Sequence, residues 1–320
     1  MTHEHDEPGG HGHSHAPEGH GHPHHDGVRR SYPPGVTGIH ALPADHHDGP
    51  WDSMIVPEGT KERLLSTALL VLRQGRLLSN LSGGPHGLIV LAGPPGTGKT
   101  TLAQGLAQAA ALRMAPRGAT TLVEVDPHAF PSELLGESQR AVSKLFLDTL
   151  PELAARRPHT VVLIDEVEAL AVRRSSASFD TNPVDVHRAT DAVLAGLDQL
   201  RARCPHVVLV VTTNFIEAVD EAVLSRADLV LRTTLPDVET IVGIIRGSLE
   251  ELAGQWQEIL PLAADHELHV ELAKACEGLD GRRVRKTVLA ALTGRPEIAL
   301  SPGLVTADDL REAIRWATVD

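Results

Sequence analysis

Short blocks of hydrophobic residues alternate along the middle of this chain with longer segments in which apolar residues recur every three to four positions. Five blocks have the length and β-branched content of buried strands, and they cover residues 87–92, 120–125, 159–164, 205–211 and 228–231. The segments between them predict amphipathic helices. This alternation predicts an α/β fold with a five-stranded parallel sheet covered by helices on both faces.

The helices expected around this sheet cover residues 58–78, 132–150, 185–200 and 217–225, and a further helix is expected at 101–107, after the first strand. The second of them should end at Pro151, because proline lacks the N–H group that a helix interior requires. We expect the α/β domain to cover residues 51–235.

The strand pattern stops after Pro236, and only helical spacing follows. The helices expected there cover residues 238–252, 268–276, 282–292 and 307–316. Residues 236–320 are therefore predicted to form a small, all-helical domain.

Residues 1–50 have a different composition, rich in His, Gly and Pro, and lack apolar periodicity. Such a segment buries too little apolar surface to offset its ordering entropy, so we expect a disordered tail. The clusters at His11–His15 and His20–His25 could bind Zn²⁺ or Ni²⁺ through neutral imidazoles. A soluble tail without a metal role is the favoured alternative, because no ordered ligand set is evident.

The charge of the whole chain narrows the classes of partner. Its 320 residues carry a net charge of −13, which argues against broad binding to nucleic acid or anionic lipid. The sequence has no apolar run long enough to cross a membrane and no pattern of a secretion signal, so we expect a cytoplasmic protein without membrane partners. The two cysteines, Cys204 and Cys276, fit ordinary buried thiols.

A glycine-rich stretch between the first predicted strand and the next helix matches G-x-x-x-x-G-K-[ST], the phosphate-binding loop of nucleotide hydrolases. Its glycines allow backbone N–H groups to approach phosphate oxygens closely, and the following helix directs its positive end toward them. A glycine–proline turn without a ligand is the alternative, but a strand before and a helix after the loop argue against it. The nucleotide-binding candidates are Gly93, Pro94, Pro95, Gly96, Thr97, Gly98, Lys99, Thr100 and Thr101.

Polar residues at the ends of two later strands extend this candidate site. Lys99 should contact the β- and γ-phosphates of ATP, while Thr100 and Asp165 are candidate ligands of Mg²⁺. Glu166 can orient and activate water, and Asn214 can hold that water or a γ-phosphate oxygen. Solvated acids at a strand end are the alternative for the carboxylates.

Arg226 follows a short predicted helix in Ser225–Asp228, and its spacing alone does not decide its role. It fits either an arginine finger acting on a neighbouring subunit or an ordinary surface arginine.

The order of these motifs resembles that of AAA+ ATPases. The residues within and around the motifs resemble, more specifically, the pachytene-checkpoint family, also called thyroid-receptor-interactor ATPases. The stretches that carry the resemblance are Leu163–Leu170, Val193–Leu200, Ser225–Asp228 and Gly278–Lys286. The resemblance covers about residues 51–320.

This resemblance implies a ring, usually a homo-hexamer, with ATP and Mg²⁺ at the subunit boundaries. Arg226 would reach the nucleotide of a neighbour, and Arg282 would contact γ-phosphate from the helical lid. Family members engage HORMA-domain proteins and partly unfold them. Short bacterial members are linked with HORMA proteins that control nucleotidyltransferases in antiphage defence.

The sequence departs from the family in two places. Where an aromatic residue usually grips the substrate in the first pore loop, this chain offers Leu134 and Leu135, which ordinary helix packing would also explain. The polar stretch Arg173–Asp185 fits a second pore loop or a surface loop. The N-terminal adaptor-binding domain of eukaryotic members is replaced by the His-rich tail, which favours direct substrate recognition.

Three other functions remain open from the sequence. The first is another AAA+ machine, such as a loader in DNA metabolism, against which the acidic charge counts. The second is a metal-delivery NTPase, suggested by the His-rich tail, although the Asn-Lys-x-Asp motif of guanine-specific members is missing. The third is a non-catalytic scaffold, against which the complete set of candidate catalytic residues argues.

Overall fold

A six-stranded sheet lies at the centre of the computed structural model, which describes residues 32–44, 51, 54–130, 137–170 and 183–318. Its order is β1-β3-β4-β5-β2-β6. Strands β2 to β6 are parallel to their neighbours, as predicted, whereas β1 pairs antiparallel with β3 at the edge. The strands are β1 (Val36–Leu42), β2 (Leu88–Ala92), β3 (Thr120–Val125), β4 (His159–Ile164), β5 (Val207–Thr213) and β6 (Ala227–Arg232).

Strand β1 corrects the prediction that residues 1–50 are disordered, which is wrong for 36–42. Val36 and Leu42 are buried, and Gly35 turns the chain with a φ of 79° against the ring of Phe130. The free edge of β3 supplies the backbone partners that this short segment lacks by itself. The structure also describes the flanking residues 32–35 and 43–44, whereas residues 1–31, with both His clusters, and 45–50 lie outside the described residues.

Six α-helices in the described part of the chain pack against the sheet, and together they cover both of its faces. The face with α3, α4 and α5 includes Val90 of β2 in its core, and the opposite face with α1 and α2 includes Ile89. Successive strand residues point to opposite faces, so burial on both sides produces the continuous hydrophobic runs of the sequence. The helices are α1 (Thr60–Leu78), α2 (Lys99–Met114), α3 (Glu137–Lys144), α4 (Leu150–Ala155), α5 (Pro183–Arg203) and α6 (Glu221–Leu224).

The helix expected to end at Pro151 continues to Ala155, so that prediction is wrong. A π-helical turn, Leu145–Thr149, separates α3 from α4. Pro151 therefore lies in the first turn of α4, where the missing N–H group leaves no helical hydrogen bond broken. Residues 131–136, where the start of this helix was expected, lie outside the described ranges.

The helices after β6 pack around a hydrophobic core of their own, and this helical segment, residues 238–318, is called the lid below. Asp237, Asp265 and Asp280 each accept a backbone N–H from the first turn of the helix that follows them. The two five-residue helices, α8 and α11, were not predicted, because they are too short to show a periodicity. The helices are α7 (Val238–Ala253), α8 (Leu260–Ala264), α9 (His266–Ala275), α10 (Gly281–Ala290), α11 (Pro296–Leu300) and α12 (Ala307–Thr318).

Across the described parts of the chain, every helix falls short of the length and hydrophobicity needed to span a membrane.

Strand β1 should be part of the stable core, and the substitution Leu42→Ala tests this. Leu42 is 1% exposed and packs in the core that α1 and α2 cover. We expect the substitution to lower the free energy of unfolding by about 2–5 kcal/mol, measured by chemical denaturation. Leu77→Ala is the control, because Leu77 is 72% exposed. Equal, small effects of the two substitutions would show that β1 adds little to stability.

Candidate nucleotide site

The glycine-rich loop between β2 and α2 adopts the backbone conformation that the sequence predicts. Gly93, Gly96 and Gly98 have φ values of 151°, 77° and 83°, a region that L side chains rarely adopt. A Cβ atom on Gly93 would overlap the carbonyl of Thr233, and one on Gly96 would overlap the carboxylate of Asp280. The loop is therefore fitted closely between the end of β6 and the lid.

Hydroxyl groups fix the shape of this loop. Thr97 Oγ1 donates to Pro94 O at 2.8 Å and lies 2.8 Å from Thr233 Oγ1. Thr233 Oγ1 donates in turn to Ala92 O at 3.2 Å, at the end of β2. Gly93 N donates to Thr213 O at 3.1 Å, which ties the loop to the end of β5 as well.

Lys99 is a buried cation whose direct partners are neutral oxygens. Only 7% of the residue is exposed, and Nζ donates to Gly93 O at 2.8 Å, Pro94 O at 2.9 Å and Asn214 Oδ1 at 2.8 Å. Burial lowers the pKa of Lys99 below its usual value, and nearby carboxylates, Asp165 foremost, act in the opposite direction. No carboxylate of the described residues contacts Nζ directly. The positive charge of Lys99 is therefore available to an anion bound at this loop.

Thr100 and Asp165, the two predicted metal ligands, lie together. Thr100 Oγ1 donates to Asp165 Oδ1 and Oδ2 at 2.9 and 3.1 Å. The Thr212 hydroxyl also donates to Asp165 Oδ1 and so orients the carboxylate from β5. Carboxylate and hydroxyl oxygens are ligands that suit Mg²⁺, so the donor set fits this ion.

Glu166 is held in a strained backbone conformation beside Asp165. Its φ of 55° is the only positive value among the described non-glycine residues. Its N–H donates to Thr212 Oγ1 at 3.0 Å, which helps to hold the turn. Oε1 accepts from Asn214 Nδ2 at 3.0 Å, and Oε2 lies 3.1 Å from His128 Nε2.

Asn214 connects the two charged groups of the site. Its side-chain oxygen accepts from Lys99, its side-chain nitrogen donates to Glu166, and its backbone N–H donates to Glu168 Oε1 at 2.9 Å. These three contacts fix the orientation of the amide. The structure thus brings Asn214 to the position that the strand-end pattern predicted.

The two predicted arginines are placed differently. Arg282, near the start of α10, lines the same cavity as the glycine-rich loop, Asp165 and Asn214. Arg226 does not line this cavity. Asp198 binds it through two hydrogen bonds, from Nε at 2.8 Å and from Nη2 at 2.9 Å. This pairing holds the pKa of Asp198 below its ordinary value, and the role of Arg226 at a neighbour's site stays a prediction.

The predicted pore residues, Leu134 and Leu135, lie outside the described ranges, as does most of Arg173–Asp185. Their roles stay predictions. Within the described ranges, no group of three or more His, Cys, Asp or Glu residues has the arrangement of a metal site.

Two residues that support the site, Thr212 and Asp228, were not predicted from the sequence. Thr212 belongs to the polar strand end that pointed to Asn214, so this signal was present but was not used. Asp228 accepts the N–H groups of His86, Gly87 and Leu88 at 3.0, 2.6 and 3.1 Å and so fixes the start of β2 beside β6. No local pattern marks such a contact between distant segments.

A mainly apolar cavity beside Thr97 was also missed. Residues before α1, residues after β6, and the lid build it jointly, and its lining includes Ile55, Val56, Leu235 and Ile244. These residues are far apart in the sequence, so no motif announces them.

The loop, the paired acids at the end of β4 and the amide at the end of β5 define a nucleotide hydrolase of the P-loop type. The family described as ATPase family associated with various cellular activities (AAA) matches residues 89–235. The chain belongs to this family of ATPases, in the branch of the pachytene checkpoint proteins.

Individual relatives support this membership along most of the chain. The chain is 43% identical over 285 residues to CD-NTase-associated protein 6 of Pseudomonas aeruginosa, covering 89% of this chain and 93% of that protein. It is 34% identical over 290 residues to the pachytene checkpoint protein 2 homolog of Danio rerio, covering 83% of this chain and 68% of that protein. Its fold matches a chain in the structure of the E. coli MS115-1 HORMA:CdnC:Trip13 complex, with a TM-score of 0.69, 20% identity and coverage of 88% and 95%.

The substitution Thr212→Val should lower ATP hydrolysis about 10- to 100-fold, because it removes the hydroxyl that orients Asp165 and accepts the N–H of Glu166. The measurement is the steady-state ATPase rate across a range of Mg²⁺ concentrations. Thr160→Val is a matched control in the neighbouring strand, since the buried Thr160 hydroxyl has no hydrogen-bond partner among the residues that the structure describes. Similar rates for both variants would show that the Thr212 hydroxyl does not organise the site.

Proposed function

We propose that the protein is a Mg²⁺-dependent ATPase that assembles as a homo-hexameric ring in the cytoplasm and partly unfolds HORMA-domain proteins. In this proposal the ring serves a bacterial antiphage system in which a HORMA protein controls a nucleotidyltransferase. The observation that carries it is the 43% identity to CD-NTase-associated protein 6 along nearly the whole of both chains.

The glycine-rich loop would hold the ATP phosphates. Residues 93–101 would contribute backbone N–H groups and the start of α2, with Lys99 as the point charge at the β- and γ-phosphates. The neutral partners of Lys99 support this role, because a phosphate oxygen that approaches Nζ has no carboxylate to displace. The apolar cavity beside Thr97 is the proposed place of the adenine ring.

Thr100 and Asp165 would hold Mg²⁺ next to the phosphates. When bound, the ion would neutralise charge on the phosphate oxygens. The hydrogen bond from Thr212 keeps the Asp165 carboxylate facing Thr100.

Glu166 would act as the general base for the attacking water, a role worth about 10²–10⁴ in rate. The strained turn, held by the bond that the Glu166 N–H donates to Thr212 Oγ1, and the bond that Asn214 Nδ2 donates to the carboxylate restrict where the carboxylate can point. Because Asn214 contacts both Glu166 and Lys99, it can report the presence of γ-phosphate at Lys99 to the base.

The two arginines would complete the site on the phosphate side. Arg282 would contact γ-phosphate from the lid, whose Asp280 packs against Gly96 of the loop. Arg226 would act on the nucleotide of a neighbouring subunit, where an arginine finger is worth about 10³–10⁵ in rate. To do so, the Arg226 guanidinium would release its hydrogen bonds to Asp198 and form new ones to a phosphate group of the neighbour's nucleotide.

The substrate assignment rests on similarity to relatives and solved structures. HORMA is named as a component of the solved complex in which a chain shares this fold. The similarity of this chain to pachytene checkpoint proteins agrees with a HORMA-domain substrate. We propose that Leu134 and Leu135 grip the substrate in the pore, and that recognition is direct.

The substitution Glu166→Gln should keep ATP binding and abolish the general base. We expect hydrolysis to fall at least 100-fold. The ATP-loaded ring should then retain a purified HORMA-domain protein from the same host, measured by co-elution on size-exclusion chromatography.

Lys99→Ala is the matched control, because it should bind neither ATP nor the HORMA protein stably. Loss of hydrolysis without capture of any HORMA protein of the host would refute the substrate assignment and leave the ATPase assignment standing. Unchanged hydrolysis in Glu166→Gln would refute the catalytic assignment.

A further inference from the structure

A second polar cavity lies at the amino-terminal ends of the parallel strands, opposite the ends that carry the glycine-rich loop. It opens beside the starts of β4 and β5, whereas the loop follows the end of β2. Its volume is about 480 Å³, within the range of small-molecule sites. Four arginines from separate parts of the chain line it: Arg76, Arg156, Arg157 and Arg203.

No acidic residue lines this cavity in the part of the chain that the structure describes. Arg76, Arg156 and Arg157 make no hydrogen bond or ion pair with described residues through their guanidinium groups, and Arg203 donates to the carbonyl of Leu147. The chain as a whole carries 42 acidic and 29 basic residues. Four unopposed positive charges in so acidic a protein are a marked local departure from its overall charge.

Two other residues that line the cavity, His206 and Cys204, are affected by the charges of these arginines. Burial and the charge of Arg76 hold the pKa of His206 below its usual value. Burial raises the pKa of the Cys204 thiol, while Arg203 and Arg76 act in the opposite direction. Both side chains are buried, at 8% exposure each, whereas Arg76, Arg156 and Arg203 are exposed and so accessible to a ligand from solvent.

Helix termini explain only part of this arrangement. Arg76 lies in the last turn of α1, Arg156 caps α4, and Arg203 ends α5, so each complements a negative helix end. Arg157 belongs to no helix, and none of these roles requires the guanidinium groups to converge on one cavity. Like charges brought together repel one another, and a bound anion would remove the repulsion that water and salt leave unscreened.

We propose that this cavity binds a small phosphate-bearing molecule with at least two negative charges. Guanidinium groups bind phosphate oxygens through paired hydrogen bonds, and several arginines can share one tetrahedral group. A single carboxylate would offset only one of the four charges. The site is separate from the ATP site, so it does not depend on the proposed ATPase function.

Isothermal titration of the full-length protein with inorganic pyrophosphate tests the site, with Mg·ADP present in excess to occupy the glycine-rich loop. We expect one binding event that weakens at least tenfold in the double variant Arg156→Ala/Arg157→Ala. It should also weaken when the salt concentration rises from low to physiological. The control is Arg246→Ala/Arg315→Ala, which removes the same charge from exposed lid positions and should bind as the unmodified protein does.

Arg76→Gln gives a second variant should the double variant unfold, and it should also lose affinity at least tenfold. Citrate, a tricarboxylate, should bind at least tenfold more weakly than pyrophosphate. The proposal is overturned if pyrophosphate does not bind, if it binds the arginine variants as tightly as the control, or if citrate binds equally well. The first two outcomes would leave the arginines with helix-end stabilisation only.

Discussion

The buried ammonium group of Lys99 is the constraint on which the site depends. Burying an unpaired charge is costly, and here neutral oxygens from the loop and from Asn214 solvate it. These partners hold the cation in place without cancelling its charge. The loop must therefore keep its shape before any nucleotide arrives, which explains why hydroxyl groups, glycines and the lid all hold it.

Strand order explains how distant residues reach this cation. The neighbours β4, β5, β2 and β6 are parallel, so the residues that follow them meet at one edge of the sheet. The acids after β4, Asn214 after β5 and the loop after β2 thus lie side by side. Thr233 after β6 closes the group on the other side, and Asp228 at the start of β6 sets the position of β2.

The sequence revealed what local patterns can reveal. Burial on both faces marked the five parallel strands, and the glycines with Lys99 marked the loop. Strand β1 was missed because its partner is the distant edge of β3, and Pro151 was misjudged because a π-turn changed the helical register before it. The apolar cavity and the Arg226–Asp198 pair depend on folding, and no short motif encodes either.

Arg226 pairs with Asp198 and does not line the cavity around Lys99, so under the proposed function one subunit does not hold the whole ATPase site. The central claim is that a neighbouring subunit completes it. The most direct measurement mixes the variants Lys99→Ala and Arg226→Ala and compares the ATPase rate of the mixture with the rates of each alone. A shared site predicts two nearly inactive proteins and a mixture that regains hydrolysis, because Lys99→Ala subunits donate Arg226 to intact loops. A mixture no more active than the sum of its parts, with mixed rings shown to form, would contradict the account.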